Sequence, residues 1–187
     1  VERATVLALA FASLLVRGGE RVGDLSATQP PATGRPGLNR FALQMTGQMT
    51  SPQSLPPRRS LPRFSQIILI SDWLTPIDGV LDILSHYGAL GVRGQLIQVL
   101  DPAEEDLPFD GRTEFEDVES KLRMLARRVE TLRGAYRDRL STLRTEVARA
   151  CRRQDWTFAS HRTDRPPQGA LLAAYAALSA HRPFEMR

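Results

Sequence analysis

Cysteine and lysine are nearly missing from this 187-residue chain: Cys151 is the only one of its kind, and Lys121 the only lysine. One cysteine excludes an intramolecular disulfide and any cysteine-rich zinc site. Cys151 falls on an apolar helix stripe, which favours a buried, inert thiol over a nucleophile and fits a reducing cytoplasmic setting. Near-absence of lysine leaves arginine to carry the net charge of +4, a modest excess that reflects composition more than a nucleic-acid partner. Phosphate-cradling and metalloprotease signatures are missing too: there is no P-loop, no G-x-G-x-x-G and no H-E-x-x-H. Ser71 lacks the G-x-S-x-G of a nucleophile elbow. His86 and His161 have no second ligand at metal spacing, so both read as structural.

No apolar run is long enough to span a bilayer, which takes roughly 20 residues. The nearest is Ala4 to Val16, behind Glu2 and Arg3, which imitates a signal peptide. No A-x-A site with a polar mature start follows. A helix over about 2–17, apolar nearly all round and therefore buried, is the reading, with Gly18-Gly19 stopping it.

At 42% hydrophobic and 25% charged, the composition is that of a globular protein, and the length suits one domain over 1–187. Its centre is Gln66-Ile67-Ile68-Leu69-Ile70-Ser71-Asp72, whose unbroken apolar run predicts a strand buried on both faces, as in a parallel sheet under helices. The strand ends on a carboxylate. Thr75-Pro76-Ile77-Asp78 then reads as a helix start, with Thr75 at the N-cap and Pro76 first in the helix. Ligands of open parallel sheets bind beyond the carboxyl ends of the strands, which makes Asp72 the first site candidate.

Around this centre, 21–26 predicts a short strand and 37–49 a helix after a Pro/Gly loop. Residues 50–63, with four prolines and Arg58-Arg59, predict a mobile surface connection. A helix is expected over 76–88, and a strand from Val92 to Leu100 ending at Asp101-Pro102, then an acidic loop Glu104-Glu105-Asp106. Residues 112–126 alternate as a β-hairpin about Glu119-Ser120. Val129, Leu132, Tyr136, Leu140, Leu143, Val147 and Cys151 make the stripe of a helix over 128–153. Trp156 to His161 is the last strand, and 167–180 the last helix. Strands alternating with helices give an α/β fold with a mostly parallel sheet.

Several segments together resemble a known family. They are the helix ending Leu15-Val16-Arg17-Gly18-Gly19-Glu20-Arg21-Val22-Gly23, the strand Ile68-Leu69-Ile70-Ser71-Asp72, Leu100-Asp101-Pro102-Ala103-Glu104 with a later Phe115-Glu116-Asp117, and His161-Arg162-Thr163-Asp164-Arg165-Pro166-Pro167. In order and spacing they resemble the von Willebrand factor A-like (vWA-like) C-terminal half of the bacterial domain-of-unknown-function family fifty-eight.

The resemblance implies a Rossmann-like vWA sheet with helices on both faces, no enzymatic activity, and a MoxR-type AAA+ ATPase as partner, in the cytoplasm or at the inner face of a membrane. It also implies a metal-ion-dependent adhesion site, in which Mg²⁺ takes hard oxygen ligands. Of that site's parts, Asp72 matches the aspartate and Thr33 the loop threonine. The Asp-x-Ser-x-Ser motif on the first central strand has no counterpart. That implies a fragment or a misassigned start, leaves the 21–26 and 66–71 strands unpaired or paired across the gap, and predicts no tight Mg²⁺ binding in this chain.

Two other readings stand beside the interaction domain. A hydrolase-like enzyme would use Asp72 and Asp101 as paired carboxylates, although an Asp-Pro turn explains Asp101 as well. A nucleic-acid module would use the arginines of 121–165 (Arg123, Arg127, Arg128, Arg133, Arg137, Arg139, Arg144, Arg149, Arg152 and Arg153), but Glu130, Asp138 and Glu146 interleave with them as on a solvated helix.

Overall fold

The structure, a computed structural model, describes residues 2–47, 55–108, 113–116, 123–126 and 129–180. Three parallel strands form the sheet, in the order β1 (Gln66–Ser71), β2 (Arg93–Leu100), β5 (Thr157–Arg162). Gln66 lies opposite Arg93, and Gln95 opposite Thr157, so β2 is central among the described strands. Parallel neighbours need crossovers, here α3 (Ile77–Ala89) between β1 and β2, and α5 (Val129–Arg153) before β5.

Side-chain alternation sorts the two faces. Ile67, Leu69 and Leu96 join Val80, Ile83, Leu84, Val147, Cys151 and Trp156 in the larger core, under α3 and α5. Ile68, Ile70, Ile97 and Val99 gather with Phe11 and Ala174 on the opposite face, contributed by α1 (Glu2–Arg17) and α6 (Pro167–Ala180). The unbroken apolar run of β1 therefore does meet a helix layer on each side. Trp156 lies flat over Gly94, where an added Cβ would come within 2.5 Å of its ring. Its indole N–H donates to the Val92 carbonyl at 2.9 Å.

Several expectations need correction. Residues 21–26 form no strand: a single antiparallel bridge joins Val22 to Ala32, with the side chain of Arg21 also donating to Pro31. Among the described residues β1 has β2 as its one strand neighbour, and there is no direct pairing with 21–26. The first helix has the expected bounds, but it is not buried all round. Leu7, Phe11 and Ala12 are buried, while Val6 is 51% exposed. It packs on α2 (Gly34–Gly47), α6 and β1, and most of its other residues are half-buried.

Pro76, rather than Thr75, is the N-cap of α3, without a side-chain cap bond. Thr75 Oγ1 is buried with no partner. The acidic segment after β2 is a short helix, α4 (Pro102–Asp106). The hairpin forms as β3 (Thr113–Glu116) and β4 (Arg123–Ala126), antiparallel with Thr113 opposite Ala126; its turn at 119–120 lies outside the described residues.

The proline-rich connection carries no helix or strand over 55–63, and 48–54 lie outside the described residues. Its described part is nonetheless tied down. Tyr87 donates its hydroxyl to the Pro57 carbonyl at 2.6 Å, Leu55 and Leu61 pack against the larger core, and Arg59 bonds the carbonyl of Ala27.

Candidate functional site: the carboxyl rim of the sheet

The carboxyl ends of β1, β2 and β5 make one rim, and each strand leaves it differently. After β1 the chain turns at Trp73, which has φ 54°, a conformation costly for a bulky side chain. The turn is held because the Trp73 ring is buried in the larger core and its indole N–H donates to the Ile97 carbonyl at 3.2 Å. Burying Trp73 inward leaves Asp72 and Leu74 exposed. The Asp72 carboxylate accepts from the Leu74 amide at 3.1 Å and from the Ser71 hydroxyl at 3.5 Å.

After β2, Asp101 caps α4 in a reciprocal box. Its carboxylate accepts from the Ala103 amide at 2.9 Å, while Glu104 accepts from the Asp101 amide at 2.9 Å. The second Asp101 oxygen accepts the Thr163 hydroxyl at 2.8 Å, which ties the end of β2 to the residue after β5. These two donors hold the Asp101 carboxyl below its ordinary range. The Asp-Pro turn thus has a definite structural task. A general acid working near neutrality needs the opposite shift.

Gln98 organises the rest. It is 1% exposed in the middle of the sheet, so both ends of its amide need partners. Its Nε2 donates to the Asp72 carbonyl at 2.8 Å, and its Oε1 accepts from Arg144 Nε at 2.7 Å. Arg144 continues to Glu105 at 2.5 Å, and Glu105 takes Arg162 at 3.3 Å. Arg162 also reaches Asp106 at 3.1 Å and grips Asp164 with two nitrogens, at 3.1 and 3.3 Å. Mutual pairing raises the Arg162 pKa and lowers that of Asp164. Arg137 and Arg133 close the α5 side, on Asp106 and the Leu107 carbonyl. Between α4 and α5 lies a groove of about 210 Å³ lined by Glu105, Asp106, Arg137, Leu140, Ser141 and Arg144.

Asp72 and Asp101 share the rim but turn to different partners, Asp101 toward Thr163 and Asp72 toward its own turn. Thr33 is exposed just before α2. Among the described residues no group of three or more His, Cys, Asp or Glu could hold a metal ion. One carboxylate and one hydroxyl do not make a complete set for Mg²⁺, which needs near-octahedral oxygen coordination. Arg133, Arg137 and Arg144, read in the sequence as part of a solvated face, bind the rim instead. Lys121, Arg127 and Arg128 lie outside the described residues. Gln98 escaped the sequence reading, and Arg144 figured there only among the arginines of 121–165. A lone glutamine inside Leu96-Ile97-Gln98-Val99-Leu100 was the available signal, because a buried amide in an apolar strand requires a partner.

An open parallel sheet with helices on both faces and a polar carboxyl rim places the molecule in the α/β class, in the manner of Rossmann-like folds. The chain belongs to the family described as "Protein of unknown function DUF58", whose model matches residues 1–146. It is similar to the crystal structure of an aerotolerance-related membrane protein from Bacteroides fragilis, with 15% identity and a TM-score of 0.51 over 96% of this chain and 88% of that one. A conserved hypothetical protein BatB from Bacteroides thetaiotaomicron aligns at 16% identity and a TM-score of 0.34, over 81% of this chain and 60% of that one. No curated protein matches the chain. No described helix is long and apolar enough to cross a membrane.

Proposed function

We propose that this chain is a non-enzymatic, vWA-like interaction domain, and that its carboxyl rim docks a protein partner. The observation that carries the reading is the closed polar network from the Asp72 carbonyl through Gln98, Arg144, Glu105 and Arg162 to Asp164. Side chains saturated with one another make a rigid, charged surface. They leave little for proton transfer: Asp101 is held ionised by its two donors, and the Cys151 thiol is pushed up to about 12 by burial. Asp72, exposed and fixed by the Trp73 turn, is the carboxylate best placed to meet a partner.

By family resemblance the partner is a MoxR-type AAA+ ATPase, met in the cytoplasm or at the inner face of a membrane. By the same resemblance Asp72 and Thr33 are the residues of this chain that match the adhesion site of vWA-like domains, and the docking proposed here does not call for a tightly held ion. Capture of a purified MoxR-type ATPase by the immobilised chain tests the reading. Binding that persists in a chelator and is lost in Asp72→Ala supports it. No capture, or equal capture by Asp72→Ala, overturns it.

A further inference from the structure

The opposite, amino-terminal rim has a different chemistry. Phe64, two residues before β1, is 82% exposed and has φ 69°. An isolated exposed apolar residue is ordinary. A bulky aromatic held outward in a left-handed backbone is not, because burial and backbone sterics both oppose it. The guanidinium of Arg63 stands 5.2 Å from the centroid of its ring.

The sheet register brings more arginine to this rim. Arg93 opens β2 opposite Gln66, and because Gln95 pairs with Thr157, Arg93 lies level with Asp155 before β5. Gln66, Arg93, Asp155 and Thr157 line one small cavity at that end of the sheet. Arg152 and Arg153, both exposed, end α5 immediately before it. Neighbouring parallel strands are about 4.8 Å apart, so the three strand entries span roughly 10 Å. Against Arg63, Arg93, Arg152 and Arg153 stands the exposed Asp155. The carboxyl rim differs: its Glu105, Asp106 and Asp164 are already paired with Arg137, Arg144 and Arg162.

We infer that the amino-terminal rim is a docking surface for an anionic lipid membrane, with Phe64 entering the headgroup–acyl boundary and the arginines engaging lipid phosphates. Charge complementarity selects an anionic surface, to which each nearby basic residue adds about 1 kcal/mol. The lone phenyl selects lipid over single-stranded nucleic acid, because stacking platforms use several aromatics along the strand. Apart from Phe64, the exposed aromatic among the described residues is Tyr175, which is on α6. This inference does not depend on how the carboxyl rim is used.

Vesicle co-sedimentation of the chain, with phosphatidylglycerol-containing against pure phosphatidylcholine vesicles, gives the first readout. Binding to the anionic vesicles alone, weakening with added salt, is expected. Phe64→Ala should weaken it by about tenfold, and Arg153→Ala by about fivefold. The second readout is Phe64→Trp with lipids brominated in the acyl chain. Trp73 and Trp156 are 3% and 2% exposed, so quenching reports the new indole. Quenching places residue 64 in the bilayer. Equal binding to both vesicle types, unchanged binding by Phe64→Ala, absence of quenching, or tighter binding of an oligonucleotide than of the vesicles each overturns the inference.

Discussion

Arg144 donates its Nε proton to the amide oxygen of the buried Gln98 at 2.7 Å, although the two are 46 residues apart in the chain. With the other end of the amide on the Asp72 carbonyl, this pair ties α5 to the exit of β1. Gln98→Leu leaves a carbonyl and a guanidinium without their partner and should cost about 1–3 kcal/mol in urea denaturation. In a double-mutant cycle Gln98→Ala and Arg144→Ala should couple by about 0.5–3 kcal/mol. Strict additivity would show that the bond contributes nothing to the fold.

Gly94 has no side chain because Trp156 occupies the space. Gly94→Ala forces the indole away from its bond to the Val92 carbonyl and should destabilise by about 1–3 kcal/mol, as overpacking does. Tryptophan emission should shift to the red as the ring is exposed. An unshifted spectrum with unchanged stability would contradict the packing.

His161 is 7% exposed, and its Nε2 has no partner. Burial, then the nearby Arg3 and Arg165, lower its pKa against a weaker opposing pull from Asp164. A depressed imidazole stays neutral in the fold while the unfolded chain takes up its proton below about pH 6.5. Stability should therefore fall as pH drops through 6.5 toward the folded-state pKa, by at most about 1.4 kcal/mol per pH unit. Urea midpoints measured between neutral and mildly acid pH should show this slope, and His161→Leu should lose it. An identical slope in the variant would assign it to other groups.

Cys151 is fully buried in the larger core, with its thiol pushed up to about 12. The thiolate is the reactive form, so a disulfide reagent should leave the native chain unlabelled and modify it on denaturation. Rapid labelling of the folded protein would contradict the burial.

Apolar periodicity made most of this fold legible in the sequence. The later part of the α5 stripe (Leu140, Val147 and Cys151), the β1 run and, apart from 21–26 and the acidic segment, the order of strands and helices stand, because each follows from burying side chains on a definite face. The failures share one cause, which is that tertiary partners decide where local signals are ambiguous. The Arg21-Val22-Gly23-Asp24 segment had strand-like residues but finds only Ala32 to bridge. Thr75 had the chemistry of an N-cap, yet Trp73 fixes the turn through core contacts and Pro76 takes the position. At the site, Asp72 and Asp101 were visible as acids ending strands. Gln98, Arg144 and Arg162 join the rim network only because the sheet brings residues tens of positions apart together.

Hydrogen exchange of the chain with and without a purified MoxR-type AAA+ ATPase tests the central claim most directly, because it reads which rim is covered. Slowed exchange confined to the carboxyl rim, at 72–75 and 101–106, is the predicted result. Protection at the amino-terminal rim, around 90–93 and 153–156, or no protection anywhere at saturating ATPase, would contradict it.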